Sequence, residues 1–222
     1  MSELVTVDFA GILFDMDGVL VSSIGSVNRC WVKWAQHYGL PNAESVRIEH
    51  GTRAVDMIRK LKPGLDVAVG LKYIEDLEID DVADLKVLPG ARALLESLPP
   101  ERWAIVTSAT YRLLLGRLKA AELPVPERII SGDMVERGKP DPEPYRRGAE
   151  LIHEPAAECL VVEDAPSGVG AGIAAGCRVL GVLGTHSEAE LRAAGASWVV
   201  GSLEDVTAQT GSDGLTLSLK TI

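Results

Sequence analysis

Four short apolar runs in this sequence each end in residues suited to handling a phosphate group. Gly11-Ile-Leu-Phe14 leads into Asp15-Met-Asp17-Gly-Val-Leu20, and Trp103-Ala-Ile-Val106 leads into Thr107-Ser108-Ala109-Thr110. Leu160-Val-Val162 leads into Glu163-Asp164-Ala-Pro166, and Arg128-Ile-Ile130 into a loop holding Gly138-Lys139-Pro140. A continuous apolar run of this length is the pattern of a strand in a sheet covered on both faces. In an open α/β sheet, ligands bind outside the carboxyl ends of the parallel strands. All four segments would then deliver their polar residues to one rim.

Asp15 and Asp17 are two apart, and in extended chain such residues point to the same side. Asp15 ends the apolar run directly and suits a fixed nucleophile; Asp17, one loop step further, suits a proton carrier. The same Asp-Gly also fits an ordinary turn closing a strand. Glu163-Asp164 is a second acidic pair, although Asp-Ala-Pro-Ser fits a helix N-cap as well. Four carboxylates on one rim would repel by roughly 4 kcal/mol per close pair at intermediate dielectric. A hard divalent cation removes that cost, and Mg²⁺ takes a few carboxylates with waters and phosphate oxygens. The acidic cluster therefore predicts Mg²⁺.

Around Ser108 and Ala109 the residues are small, which leaves hydroxyls and backbone N–H groups free to bind an anion at the next helix's N-terminus. Capping of that helix by a Ser or Thr is the competing reading. Lys139 is followed by Pro140, Pro142 and Pro144, which stiffen its loop. A lysine held there can neutralise a phosphate and the carboxylate that attacks it.

The elements that must position these residues follow from periodicity. A strand is expected at Phe9–Phe14. Val27, Trp31, Trp34, Ala35 and Tyr38 then repeat at helical spacing up to Gly39, a second helix follows Thr52, and a third runs from about Asp66 to Ile79. No strand signal interrupts residues 21–83. From Leu88-Pro89-Gly90 onward helices and strands alternate, the mark of βαβ units and a parallel sheet. A short terminal strand is expected at Leu215–Leu219 after a Ser212-Asp-Gly214 turn. The reading is an α/β, Rossmann-like parallel core (1–20 and 86–222) with an inserted all-helical domain (21–85). Linkers near residues 18–23 and 82–88 would let the insert open and close over the rim.

With 222 residues and 46% hydrophobic content the chain can bury a core of this size. A net charge of −10 argues against nucleic acid or an anionic membrane as partner, but not against a small phosphorylated metabolite. Cys30, Cys159 and Cys177 form no CxxC pair and read as buried thiols. Met1-Ser-Glu-Leu has no leader pattern and no apolar stretch reaches the roughly 20 residues of a membrane span, so a cytoplasmic protein is expected. Trp31 and Trp34 are expected inside the insert, which fits a monomer or weak homodimer.

In this order, Asp-x-Asp-Gly, Thr-Ser, Gly-Lys-Pro and Glu-Asp-Ala-Pro resemble the motifs of the haloacid dehalogenase (HAD) superfamily of aspartate-nucleophile phosphatases. Longer strings, such as Gly138-Lys-Pro-Asp-Pro-Glu143 and Val162-Glu-Asp-Ala-Pro-Ser-Gly168, are similar to its sugar-phosphate, 2-deoxyglucose-6-phosphate and glycerol-phosphate phosphatases. The resemblance implies that Asp15 forms an aspartyl-phosphate and that Asp17 protonates the leaving alcohol and then activates water. It implies Mg²⁺ held by Asp15, the Asp17 carbonyl and Asp164, with Glu163 acting through water. Ser108 and Lys139 would hold the phosphoryl oxygens, with Thr107 or Thr110 assisting. His50-Gly51-Thr52-Arg53 resembles the family's cap segment, making His50, Gly51 and Arg53 candidates for reading the leaving group. Val19 stands where Thr is usual; Val is also found there in β-phosphoglucomutases, which makes a phosphosugar mutase the alternative. Such mutases carry a hinge His ten residues after the acid/base Asp, where this chain has Val27. True dehalogenases lack the second Asp. A silent binding protein on the same fold is the third reading.

Overall fold

Val5, Val7 and Phe9 alternate with Thr6 and Asp8, and this period of two forms the first strand, β1 (Glu3–Phe9). The chain bends at Ala10 and enters a different sheet as β2 (Gly11–Phe14). The run expected as one strand from Phe9 is therefore two. Close packing makes the break: a Cβ on Gly11 would lie 2.4 Å from Ile152 Cδ1 and 2.9 Å from the Arg102 carbonyl. The Ala10 N–H donates to the Glu158 carbonyl at 2.8 Å, which holds the bend. The computed structural model describes residues 3–48, 50–211 and 214–222. Met1, Ser2 and the Ser212-Asp213 of the expected turn lie outside them.

The insert comprises β3 (Val21–Ser22), α1 (Ile24–His37), α2 (Ala54–Leu61), α3 (Val67–Asp80) and β4 (Lys86–Val87). The strands β3 and β4 pair antiparallel, Val21 opposite Val87, so the two expected linkers are joined as a ladder. Two-residue strands are too short to leave a periodic signal. The helices enclose a core of their own around Trp31, Trp34, Met57, Ile58 and Ile74. Both tryptophans are buried there as expected, and Trp34 Nε1 donates to the Gly70 carbonyl at 2.9 Å. Asp66 caps α3 by accepting from Ala68 N at 2.9 Å.

After the insert come α4 (Ala91–Ser97), β5 (Trp103–Val106), α5 (Tyr111–Ala120), β6 (Ile129–Ile130), α6 (Glu143–Leu151) and β7 (Cys159–Glu163). The chain continues through α7 (Pro166–Ala175), β8 (Arg178–Val182), α8 (Glu188–Ala193), β9 (Trp198–Val200), β10 (Val206–Thr210) and β11 (Leu215–Thr221). Six strands form one parallel sheet in the order β6-β5-β2-β7-β8-β9. Successive strands leave β2 first on one side and then on the other, which makes the end of β2 the topological switch point where such sheets bind ligands.

Ile12 and Phe14 pack on one face with Leu94 and Leu95 of α4, Leu114 and Leu118 of α5, and Leu215, Leu217 and Leu219 of β11. Leu13 faces the other side, with Tyr145 of α6, Val169 of α7 and Leu191 of α8. Burial on both faces is why these strands read as apolar runs and not as alternations. An additional antiparallel sheet, β1-β11-β10, covers one flank. Only β11 of that sheet was expected, and it runs longer than Leu219. Cys30, Cys159 and Cys177 are buried and free, as expected. Among the described residues no helix is long and apolar enough to cross a membrane.

Candidate active site

Asp15 leaves the end of β2 still in register with β7, its N–H donating to the Val162 carbonyl at 3.0 Å. Thr107 leaves β5 in the same way, donating to the Ile130 carbonyl at 2.9 Å. The two polar segments therefore emerge side by side, next to Glu163 and Asp164 at the end of β7. Met16 is fully buried in the core between Asp15 and Asp17, while both aspartates line one cavity under the insert. The i, i+2 expectation thus holds. Gly18 completes the turn with φ +86°, and a Cβ there would lie 2.0 Å from Asp164 Oδ2. Only glycine brings the two acidic segments so close.

Lys139 reaches this cluster from the loop after β6. Its Nζ donates to Asp15 Oδ1 at 2.7 Å, Glu163 Oε1 at 2.6 Å and the Val106 carbonyl at 3.1 Å. These use all three ammonium donors. Burial alone would push the ammonium pKa down, but the Asp15 and Glu163 carboxylates outweigh it and hold Lys139 above its usual value. The lysine sits behind Asp15 and not on the cavity wall. Glu163 Oε1 also accepts from Tyr145 Oη at 2.7 Å, and Oε2 accepts from the N–H groups of Asp164 and Ala165 at 3.1 and 3.3 Å. Its lone pairs are thus spent on fixing Lys139 and the turn into α7. Gly168 packs directly on it, since a Cβ there would lie 1.7 Å from Glu163 Oε1. Because that carboxylate is pinned, Gly168→Ala is expected to lower unfolding stability by about 1–3 kcal/mol, read as a shift in the urea midpoint.

Ligand oxygens of Asp15, Glu163 and Asp164 lie within 4.8 Å of one another. Burial raises the Asp15 pKa well above the carboxylate range; Lys139 opposes, while Glu163, Asp164 and Asp17 add to the rise. Burial and then Glu163 push Asp164 up to about 7, against a hydrogen bond from Thr185 and the charge of Lys139. The donor set is all oxygen and over-acidic, which fits a hard divalent cation.

A family model for haloacid dehalogenase-like hydrolases matches residues 9–176. The chain belongs to this family. Among its relatives is hexitol phosphatase A of Escherichia coli, 42% identical over 78% of this chain and 82% of that protein. Another is 2-deoxyglucose-6-phosphate phosphatase 2 of Saccharomyces cerevisiae, 33% identical over 88% of each. A solved hydrolase from Pseudomonas syringae superposes with a TM-score of 0.77 at 27% identity, over 87% of this chain and 94% of that one.

In this HAD-like hydrolase the insert meets the rim through polar contacts. Ser108 Oγ donates to the Gly51 carbonyl at 2.5 Å, and Ser167 Oγ to the His50 carbonyl at 3.1 Å. Ser108, His50, Gly51, Thr107, Ala109 and Thr110 all line the cavity, as expected of candidates for substrate contact. Thr107 Oγ1 accepts from Ala109 N at 3.1 Å, and Thr110 caps α5 by accepting from Leu113 N at 3.3 Å. The capping reading of this segment falls to Thr110, while Ser108 stands at the cavity. Gly51 has φ +83°, which turns the insert loop over the rim. Burial, then His186, lowers the His50 pKa.

Arg53 is the exception. Its Nε and Nη2 grip Asp56 at 2.8 and 3.1 Å, and Nη1 donates to the Val135 carbonyl at 2.8 Å. It is buried away from the cavity and straps the insert to the loop before Lys139, so the expectation that it reads the leaving group is corrected.

Three charged residues on the cavity wall escaped the sequence reading. Arg117 of α5, fully desolvated, donates one guanidinium nitrogen to Asp17 Oδ2 and the other to Glu78 Oε2 of α3 at 2.7 Å. Asp17 Oδ1 accepts from Ser23 at 2.6 Å. Glu75, one turn before Glu78, accepts from Thr110 and from Arg112 Nη1 at 3.2 Å. A signal existed. Leu71, Ile74, Glu75 and Glu78 share the i, i+3, i+4, i+7 stripe that faces inward, where acidic residues are out of place. Thr185 and His186, after β8, were also missed; both contact Asp164.

One guanidinium serves two carboxylates, and burial pushes Glu78 up to about 7, with Arg117 opposing and Asp17 adding to the rise. A carboxylate whose folded pKa exceeds its unfolded value holds its proton more tightly when folded. Its contribution is therefore greatest below pH 4.5 and is lost as pH rises to 7. Glu78→Gln should remove a stability loss of about 3 kcal/mol between those pH values. The check is the difference between wild-type and variant melting temperatures, which should change with pH in that window.

Proposed function

We propose that this enzyme is a Mg²⁺-dependent phosphatase of small sugar or polyol phosphate monoesters, working through an aspartyl-phosphate on Asp15. The observation that carries this reading is the pair Asp15 and Asp17 facing one cavity, with Lys139 locked behind the first and a buried acidic cluster beside it. Asp15 attacks phosphorus as the ester P–O bond breaks, and the departing alkoxide takes a proton from Asp17. Asp17 then removes a proton from water, which attacks phosphorus and releases phosphate and the free Asp15 carboxylate. Ser108, with backbone N–H groups at the start of α5, holds phosphoryl oxygens once its bond to Gly51 turns over. Asp15, the Asp17 carbonyl and Asp164 would hold Mg²⁺, which when bound would supply positive charge to offset that of the phosphoryl oxygens and the Asp15 carboxylate. Glu163 acts on the metal at most through water, since its oxygens are already engaged.

The cavity of about 80 Å³ is small beside the roughly 300–1,000 Å³ of ordinary ligand pockets. The insert is a cap that swings on the β3–β4 ladder to admit substrate. The two relatives are named for phosphatases of a hexitol and of 2-deoxyglucose 6-phosphate, which supports this substrate class. Val27 presents an apolar side chain to the cavity at the position where the mutases place a histidine, which favours hydrolysis.

The test is phosphate release with and without Mg²⁺ across hexose, deoxyhexose, pentose and polyol phosphates and nucleotides. Metal-dependent release concentrated in sugars or polyols is expected. No release, with isomerised sugar phosphate as product, would replace the phosphatase with the mutase. Mg²⁺ at 100 times its dissociation constant should stabilise the fold by about 2.7 kcal/mol, roughly 5–10 °C in melting temperature for a chain of this size. A melting curve unmoved by 10 mM Mg²⁺ removes the metal from the reading.

A further inference from the structure

The cavity has two chemically different walls. The core supplies Asp15, Asp17 and the Thr107–Thr110 segment. The insert supplies Glu75, which accepts from Thr110, and Glu78, joined to Asp17 through Arg117, among the apolar side chains of Val27, Trp31, Leu71 and Ile74. Among the described residues lining the cavity, Arg117 is the one with a guanidinium or ammonium group. Its fork is committed, one nitrogen to Asp17 and the other to Glu78. Glu75 is held by Thr110 and by Arg112, whose own side chain is half exposed and also grips Asp76. Lys139 neutralises only the rim.

A substrate's phosphate is received at the rim, so the rest of the molecule lies against this insert-side wall. A second phosphate or a carboxylate would meet no free cation there and would stand beside two buried carboxylates. Hydroxyls fare differently. Each glutamate offers about four acceptor sites, only some of which the protein uses, and the carbon skeleton of a sugar or polyol can lie on Trp31 and its aliphatic neighbours. We propose that Glu75 and Glu78 are specificity residues that select uncharged, polyhydroxylated leaving groups and exclude substrates carrying a second anionic group. This inference rests on the phosphatase reading above. It also excludes the bisphosphate that a mutase cycle requires.

A matched pair of probes tests it. Sorbitol 6-phosphate and 6-phosphogluconate share a six-carbon chain and differ at the far end, hydroxymethyl against carboxylate. Phosphate release at pH 8 with Mg²⁺ should give the wild type a kcat/KM at least about 100-fold higher on the polyol, the scale of one uncompensated like-charge contact. Fructose 1,6-bisphosphate should be disfavoured similarly. Glu75→Gln and Glu78→Gln should each narrow the ratio by about tenfold, chiefly through the KM of the acid. A purely structural role in docking the cap would move both substrates together and leave the ratio where it was; that result in both variants overturns the proposal. Should neither variant fold, the wild-type ratio decides, and equal kcat/KM on the two probes overturns the proposal while leaving the phosphatase standing. Release from none of the probes overturns the phosphatase reading and this inference with it.

Discussion

Asp15→Asn is expected to lower kcat/KM on any phosphate monoester by about 10⁴-fold or more, the scale on which removal of a covalent nucleophile acts. The amide has nearly the same shape and keeps an oxygen for Lys139, but it does not attack phosphorus. Stability should move the other way. Burial and the neighbouring Glu163, Asp164 and Asp17 all oppose a charge on Asp15, with Lys139 the one group favouring it. Removing that charge relieves a buried acidic cluster, so the metal-free variant should melt at or above the wild-type temperature. An inactive protein that is no less stable separates a chemical role from a structural one. Activity within tenfold of wild type would instead remove Asp15 from the role of nucleophile.

Lys139→Met is expected to cost both activity and stability. All three donors of Lys139 are used, two of them on buried carboxylates, and its ammonium lies 4.9 Å from the centre of the Tyr145 ring. Methionine fills a similar volume but leaves Asp15 and Glu163 facing each other uncompensated. Breaking such a buried pair by removing one partner costs about 3–5 kcal/mol, or roughly 6–20 °C in melting temperature for a chain of this length. The phosphoryl-transfer step should slow by about 10²–10³-fold, as when one preorganised charge is removed from a transition state. Lys139→Arg should not rescue the variant, because a planar fork cannot reproduce three donors converging on two carboxylates and the Val106 carbonyl. Calorimetry and single-turnover phosphate release measure the two effects separately. A variant that melts within two degrees of wild type would show that the pairing contributes little to the fold.

Lys139 also illustrates what local sequence conveys. The proline-stiffened loop was legible as a place that holds a lysine toward the rim. That all its donors are consumed behind Asp15 was not, because its partners come from the ends of β2, β5 and β7. Arg53 was misplaced for a similar reason. Its motif lies in the loop over the rim, and Gly51 does turn that loop over Ser108, but the chain then enters α2 and carries the guanidinium to Asp56 and the Val135 carbonyl. In the flanking sheet β1 was missed because it is read by alternation, and the apolar continuity of Phe9 with Gly11–Phe14 hid the bend at Ala10.

By itself the sequence determined the α/β class, the helical insert and the rim. These depend on local facts: an apolar run buried on both faces, a polar residue at its carboxyl end, and the rule that parallel strands align those ends. Only the tertiary structure decided how the charges pair. Arg117 meets Asp17 across 100 residues of chain and Glu78 across 39, and no periodicity within one helix encodes which buried carboxylate a distant guanidinium will reach. That choice is set by the packing of α3 of the insert on α5 of the core. Desolvation on that packed surface is also what makes each pairing strong enough to matter.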